Sequence, residues 1–113
     1  MIYPLCHQTV TVYRLRDGQV ERCVLEGCSY TWQEAEIEDE LGYRRETRFL
    51  LILPGAEQRI FLGDRILSGI GPEVAAELWP EFVPVTVPTL AEAAYVKPVW
   101  LEGRIVHWEA GRN

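Results

Sequence analysis

Alternation of apolar and polar residues, with a period of two, dominates the chain. Residues 9–15 (TVTVYRL) are rich in β-branched and aromatic side chains and predict a strand. Asp17-Gly18 predicts a hairpin turn into a second strand at 20–25. Gly27 interrupts the next run and points to a bulge or bend. Cys28, Tyr30 and Trp32 then alternate with Ser29, Thr31 and Gln33, which gives a strand with one apolar face. Residues 47–53 are continuously apolar from Phe49 and end at Pro54-Gly55, the pattern of a strand covered on both faces. The stretch 60–70 reads as two short strands around a Gly63-Asp64 turn. A closing hairpin follows at 95–101 and 104–109, turning at Glu102-Gly103.

Helical signals are few. Pro72 suits the first position of a short helix at 73–78, with Glu73 at its positive end. Thr89 and Glu92 have capping-box spacing, which predicts about one helical turn at 90–94. Between them, Pro80, Pro84 and Pro88 keep the backbone extended. Six or seven short strands with two helical turns predict a mainly β chain, folded as a small β-barrel. Closure of the sheet would remove the edges that invite aggregation.

One segment breaks the alternation. Residues 34–40 hold five acidic residues in seven, Glu34, Glu36, Glu38, Asp39 and Glu40, and Arg44, Arg45 and Arg48 follow. Glu36, Glu38 and Glu40 would share a face if extended. With so little apolar surface to offset the entropy of ordering, 33–48 is expected as a long, solvated and mobile loop between two strands.

Totals narrow the function classes. A chain of 113 residues fits one domain. The net charge of −6 disfavours non-specific nucleic-acid binding, which needs a basic surface. No apolar run reaches the length of a membrane span. The start, MIYPLCHQTV, lacks the basic and long apolar regions of a signal peptide. A reducing compartment and free thiols are therefore expected for Cys6, Cys23 and Cys28.

Catalytic and metal chemistry find little purchase. Cys6 and His7 are adjacent, so on an extended chain they point to opposite faces. Structural zinc sites pair ligands two to four residues apart, and Cys6 has no close cysteine partner. The acidic run lacks the Asp/Asn-Gly pattern of a calcium loop. Gly63 and Gly69 match no phosphate-binding fingerprint and read as turn residues. Trp79, Trp100 and Trp108 read as core or interface residues before a ligand platform. The expectation is a non-enzymatic chain with no catalytic residue, cofactor or metal.

Four stretches carry a resemblance: YPLCHQTVTVYR, VLEGCSYTWQ, FLGDRILSG and GRIVHWEAG. Together they resemble the head-completion (stopper, or head-tail connector) proteins of long-tailed bacteriophages, some of them known as minor capsid proteins. That family shows a Tyr-Pro-like start, a Val-Leu-x-Gly-Val-x-Trp-like strand, a Gly-Asp-x-Ile-x-x-Gly turn and a last strand ending near His-Trp. Cys28 departs from the pattern, where a β-branched residue is usual, and the Pro-rich stretch 80–88 has no match in it.

The resemblance implies a small β-barrel that assembles with itself as a ring beneath the portal. Its partners would be portal or adaptor ring proteins and tail proteins, with channel DNA touched without sequence specificity and no membrane. It would be made in the host cytoplasm and reside at the head-tail interface of the virion. The 33–48 segment matches the family's channel loop by position. Glu34, Glu36, Glu38, Asp39, Glu40, Arg44, Arg45 and Arg48 would then form a gating loop. Two other readings stay open: a tail-completion or tail-terminator protein, and a cellular small-barrel binding module.

Overall fold

The computed structural model describes residues 6–112, apart from the side chains of Ala35, Ile37 and residues 44–47. The Tyr3-Pro4 start of the first quoted stretch lies outside these residues. Among them run seven strands: β1 (Gln8–Arg16), β2 (Gln19–Asp39), β3 (Gly42–Pro54), β4 (Arg65–Ser68), β5 (Ala91–Glu92), β6 (Tyr95–Leu101) and β7 (Arg104–Arg112). They form one antiparallel sheet in the order β5-β4-β1-β2-β3-β7-β6, curled into a half-barrel. The fold is mainly β, as expected.

β2 makes the curl. It pairs with β1 as far as Cys28 and with β3 from Ser29 onward. Its 21 residues would span about 70 Å if straight. The molecule is only 44 Å along its longest axis, so β2 bends. The bend falls where the β1–β2 register slips between Gln8 and Val10, opposite Gly27 at φ +69°. A bulge there lets one strand turn a corner and serve both halves of the sheet. The two strands expected at 20–25 and 28–33 are thus one strand with a bulge.

The core lies inside the curl. Val10 and Val12 of β1, Leu25, Cys28 and Tyr30 of β2, and Leu51 and Leu53 of β3 are buried there. Opposite residues of β1 are buried too. Thr11 and Tyr13 face outward beneath the excursion between β4 and β5, where Tyr13, Phe82 and Leu90 form a second cluster. That excursion is tied to β1 and β2 by polar contacts. Thr11 Oγ1 donates to the Gly69 carbonyl at 2.8 Å and accepts from the Gly71 N–H at 2.8 Å. Arg22 donates twice to the Gly71 carbonyl, and Tyr13 Oη donates to the Pro72 carbonyl at 2.7 Å.

Four further expectations change. β3 is buried on one face only, since Leu50 keeps 37 % of its surface while Leu51 keeps none. Only Arg65–Ser68 of the 60–70 stretch is a strand, because Asp64 holds 61–64 in a turn instead. The helix expected at 73–78 is a 3₁₀ helix at Ala76–Glu81 that includes Pro80. No helical turn forms at 90–94. Thr89 sits at φ +68°, where an N-cap needs extended backbone, and the small Ala91 and Ala93 pack into the core. Ala93 N–H donates to the Asp64 carbonyl and Gly63 N–H to the Ala93 carbonyl, so this segment continues the sheet.

Candidate functional site

The long charged loop expected at 33–48 is a two-stranded ribbon. β2 and β3 stay paired to their ends, from Gln33↔Arg48 through Glu36↔Arg45 to Asp39↔Gly42, and turn at Glu40-Leu41. The charges that suggested a loop are compatible with this pairing, since no two like charges stand directly opposite. The pairing sets a mainly acidic strand against one that carries the basic residues, with Glu36 opposite Arg45 and Gln33 opposite Arg48. Opposite charges across a strand pair contribute about 0.2–1 kcal/mol each. At the tip, the Leu41 N–H donates to Asp39 Oδ1 at 2.8 Å, and Gly42 takes φ +110°.

This ribbon leaves the body of the protein. β1 parts from β2 at Cys28, and β7 meets β3 no further along than Phe49. Beyond those points each strand has the other as its neighbour, and among the described residues no further strand pairs with either outer edge. Seven residues per strand extend about 23 Å. The radius of gyration, 15.1 Å, exceeds the ~13 Å of a compact chain of this length, as a projecting element requires.

Strand alternation sorts the charges. Glu34, Glu36 and Glu38 share one face, and it continues the face of Tyr30 and Trp32 that lines the core. Glu40 belongs to the turn, so the expected trio of Glu36, Glu38 and Glu40 is replaced by Glu34, Glu36 and Glu38. Arg48 is exposed at the base. Arg44 and Arg45 hold register positions on β3, and their side chains lie outside the described part. Glu36 also accepts a hydrogen bond from the Tyr43 hydroxyl, which pushes the tyrosine pKa up.

Leu41 and Tyr43 were not singled out by sequence pattern. They are 89 % and 64 % exposed and give the ribbon an apolar tip. The signal available was an apolar pair flanking Gly42 inside an otherwise charged segment.

Other candidates are scattered. Cys23 is exposed, Cys6 half-buried and Cys28 buried. Among the described residues, no three His, Cys, Asp or Glu side chains converge as metal ligands would. His107 sits 3.3 Å from Glu109. Trp79 lies under Arg65, Trp108 donates to the Ala56 carbonyl, and Trp100 is 61 % exposed, so the three do not form one platform. Gly63 and Gly69 flank β4 in left-handed turn conformations.

The thiols should react in order of exposure. Burial raises the pKa of both Cys6 and Cys28, and Cys28 Sγ also donates to the Gln8 carbonyl. A thiol reagent followed by mass spectrometry should modify Cys23 first and Cys28 only on unfolding. Early labelling of Cys28 would contradict the packing described.

No family model, curated protein or solved structure matches the chain.

Proposed function

We propose that this chain is a structural head-tail connector subunit of a long-tailed bacteriophage, of the stopper or head-closure kind. In this reading copies form a ring beneath the portal complex, the half-barrel docks, and the ribbon projects towards the channel. The observation that carries it is the ribbon itself. A small protein extends two paired strands about 23 Å beyond its core, with three carboxylates on one face and an apolar tip. Glu34, Glu36 and Glu38 would repel the DNA backbone and keep it from sticking, while Leu41 and Tyr43 give neighbouring tips a surface on which to meet. The four sequence stretches described above support the same class. The reading involves no catalytic step.

The test shortens the ribbon without disturbing the body. Joining the cross-strand partners Gln33 and Arg48 by an Asn-Gly turn keeps the strand register. The variant should fold, because among the described residues none of the buried core lies between 34 and 47. Heads assembled with it should recruit the ring but leak packaged DNA. Equal DNA retention and equal tail joining by both proteins would remove the gating role. Failure of the variant to bind heads at all would make the ribbon a docking surface.

A further inference from the structure

At the root of the ribbon four strands contribute one row of residues. Thr31 of β2 stands opposite Leu50 of β3, Leu50 opposite Gly111 of β7, and Gly111 opposite Tyr95 of β6. Directly opposite residues share a face of the sheet. Leu50 alternates with the buried Phe49 and Leu51, so this row points away from the core. The next row towards the tip on the same face is Gln33 and Arg48. Residues of both rows, with Phe49 and Arg112, line a recess of about 380 Å³. Gly111 shapes it. Tyr95 lies across this glycine, its hydroxyl 2.6 Å from where a β-carbon would stand, and that same point is 2.7 Å from the Phe49 carbonyl oxygen of β3. The phenol is thereby carried over β7 towards β3, where it walls the recess together with Leu50.

The arginines of the chain differ in what they have left to offer. Arg14 and Arg16 pair with Asp64 and Glu21. Arg22, Arg59 and Arg65 donate to backbone carbonyls, and Arg48 is engaged within the chain as well. Arg112 is not. Among the described residues no carboxylate or carbonyl takes its guanidinium. Nor, among them, does any group accept from the Tyr95 hydroxyl or the Gln33 side-chain amide. The recess therefore combines an uncommitted cation, two further donors and an apolar floor.

We infer that this recess binds a small carboxylate that carries an apolar body of about phenyl size, with Arg112 holding the carboxylate and Leu50 and the Tyr95 ring taking the apolar part. The planar guanidinium fork matches two carboxylate oxygens and holds them in one orientation. The Tyr95 hydroxyl and the Gln33 amide can donate to whichever oxygen lone pairs the fork leaves. The volume, about 380 Å³, is at the small end of ligand sites and far more than a bare carboxylate fills, so the anion must bring carbon with it. Such a group can arrive as a free acid or as the C-terminal residue of a partner polypeptide, and the probes below separate the two. The inference stands independently of the connector reading.

The experiment titrates the full chain with 3-phenylpropanoate and follows its amide NMR spectrum, which reads binding, location and folding together. The amides of Leu50, Tyr95 and Gly111 should shift, with a dissociation constant of about 1 mM. The uncharged 3-phenylpropanamide should bind about tenfold more weakly or worse. Arg112→Gln should raise the dissociation constant by about tenfold, and Arg112→Lys by less, since it keeps the charge and loses the fork. Tyr95→Phe should cost about threefold. Arg104→Gln, which removes the same charge at the far end of β7, should change nothing. N-acetylphenylalanine and a short peptide ending in Phe are the second arm. Binding as tight as that of the free acid supports a chain end as the source, and loss of binding on extension supports the free acid. No shift at about 20 mM overturns the inference, as does equal binding of the amide or an Arg112→Gln protein that binds like wild type. Phenyl phosphate binding more than about tenfold tighter than the carboxylate would overturn the assignment of ligand class.

Discussion

Asp64→Ala should lower the free energy of unfolding by about 3–5 kcal/mol, the largest loss expected of any single change here. Asp64 is 3 % exposed and receives Arg14 at both carboxylate oxygens, at 3.1 and 2.7 Å. Burial pushes its carboxyl pKa up and Arg14 pulls it back, so the intact pair gains little net energy. Removing one partner is another matter, because it leaves a guanidinium held near the core with no counter-charge. The same carboxylate also accepts the Phe61 N–H at 2.9 Å and so holds the 61–64 turn. That turn carries the Gly63 and Asp64 backbone groups that pair with Ala93. A denaturant titration should show the midpoint falling with little change in slope. A loss below about 1 kcal/mol would mean that Arg14 finds solvent freely and the pair is a surface feature.

The second large effect is expected at Gly111, in β7. A β-carbon added there would lie 2.7 Å from the Phe49 carbonyl oxygen and 2.6 Å from the Tyr95 hydroxyl. The tyrosine can swing away, but the carbonyl belongs to the neighbouring strand and cannot. Gly111→Ala must therefore push β7 off β3 at the base of the ribbon, at a cost of about 2–3 kcal/mol. Hydrogen exchange should locate the damage, with faster exchange at the Ala94 N–H, which donates to the Gly111 carbonyl, and along the end of β7. Tyr95→Ala combined with Gly111→Ala should recover only the side-chain part of the loss. Full recovery would show that the backbone clash is absent.

How much of this was readable from sequence depends on the range of the deciding interactions. The tight turns were legible because they are local. Asp17-Gly18 and Glu102-Gly103 need left-handed backbone at both positions, and all four residues adopt it. Gly27 announced the bulge for the same reason. The ribbon was missed because its charges were weighed one strand at a time. Reflected about Glu40-Leu41, acidic positions fall opposite basic or neutral ones, and that symmetry favours a hairpin over a loop. The Thr89–Glu92 spacing misled because tertiary contacts outweigh a capping box: Ala91 and Ala93 are buried in the core, and Ala93 pairs with Gly63 and Asp64. The 61–64 turn depends on Arg14, about fifty residues earlier, and no local pattern reveals such a partner. As for the site, the charged segment itself was legible, whereas its shape and its Leu41–Tyr43 tip were not.

β2 begins at the Arg16–Gln19 hairpin, turns the corner at Gly27 and ends at the ribbon tip without a break. A load applied at the tip is therefore carried along β2 by one covalent backbone to the Arg16–Gln19 hairpin. Because the tip joins β2 to β3, both strands are pulled together there, and along β2 the opposing ladder is the one to β1, whose hydrogen bonds run across the direction of pull and must be sheared together, not unzipped singly. The strand is a tie rod: tension at one end arrives at the other with little slack.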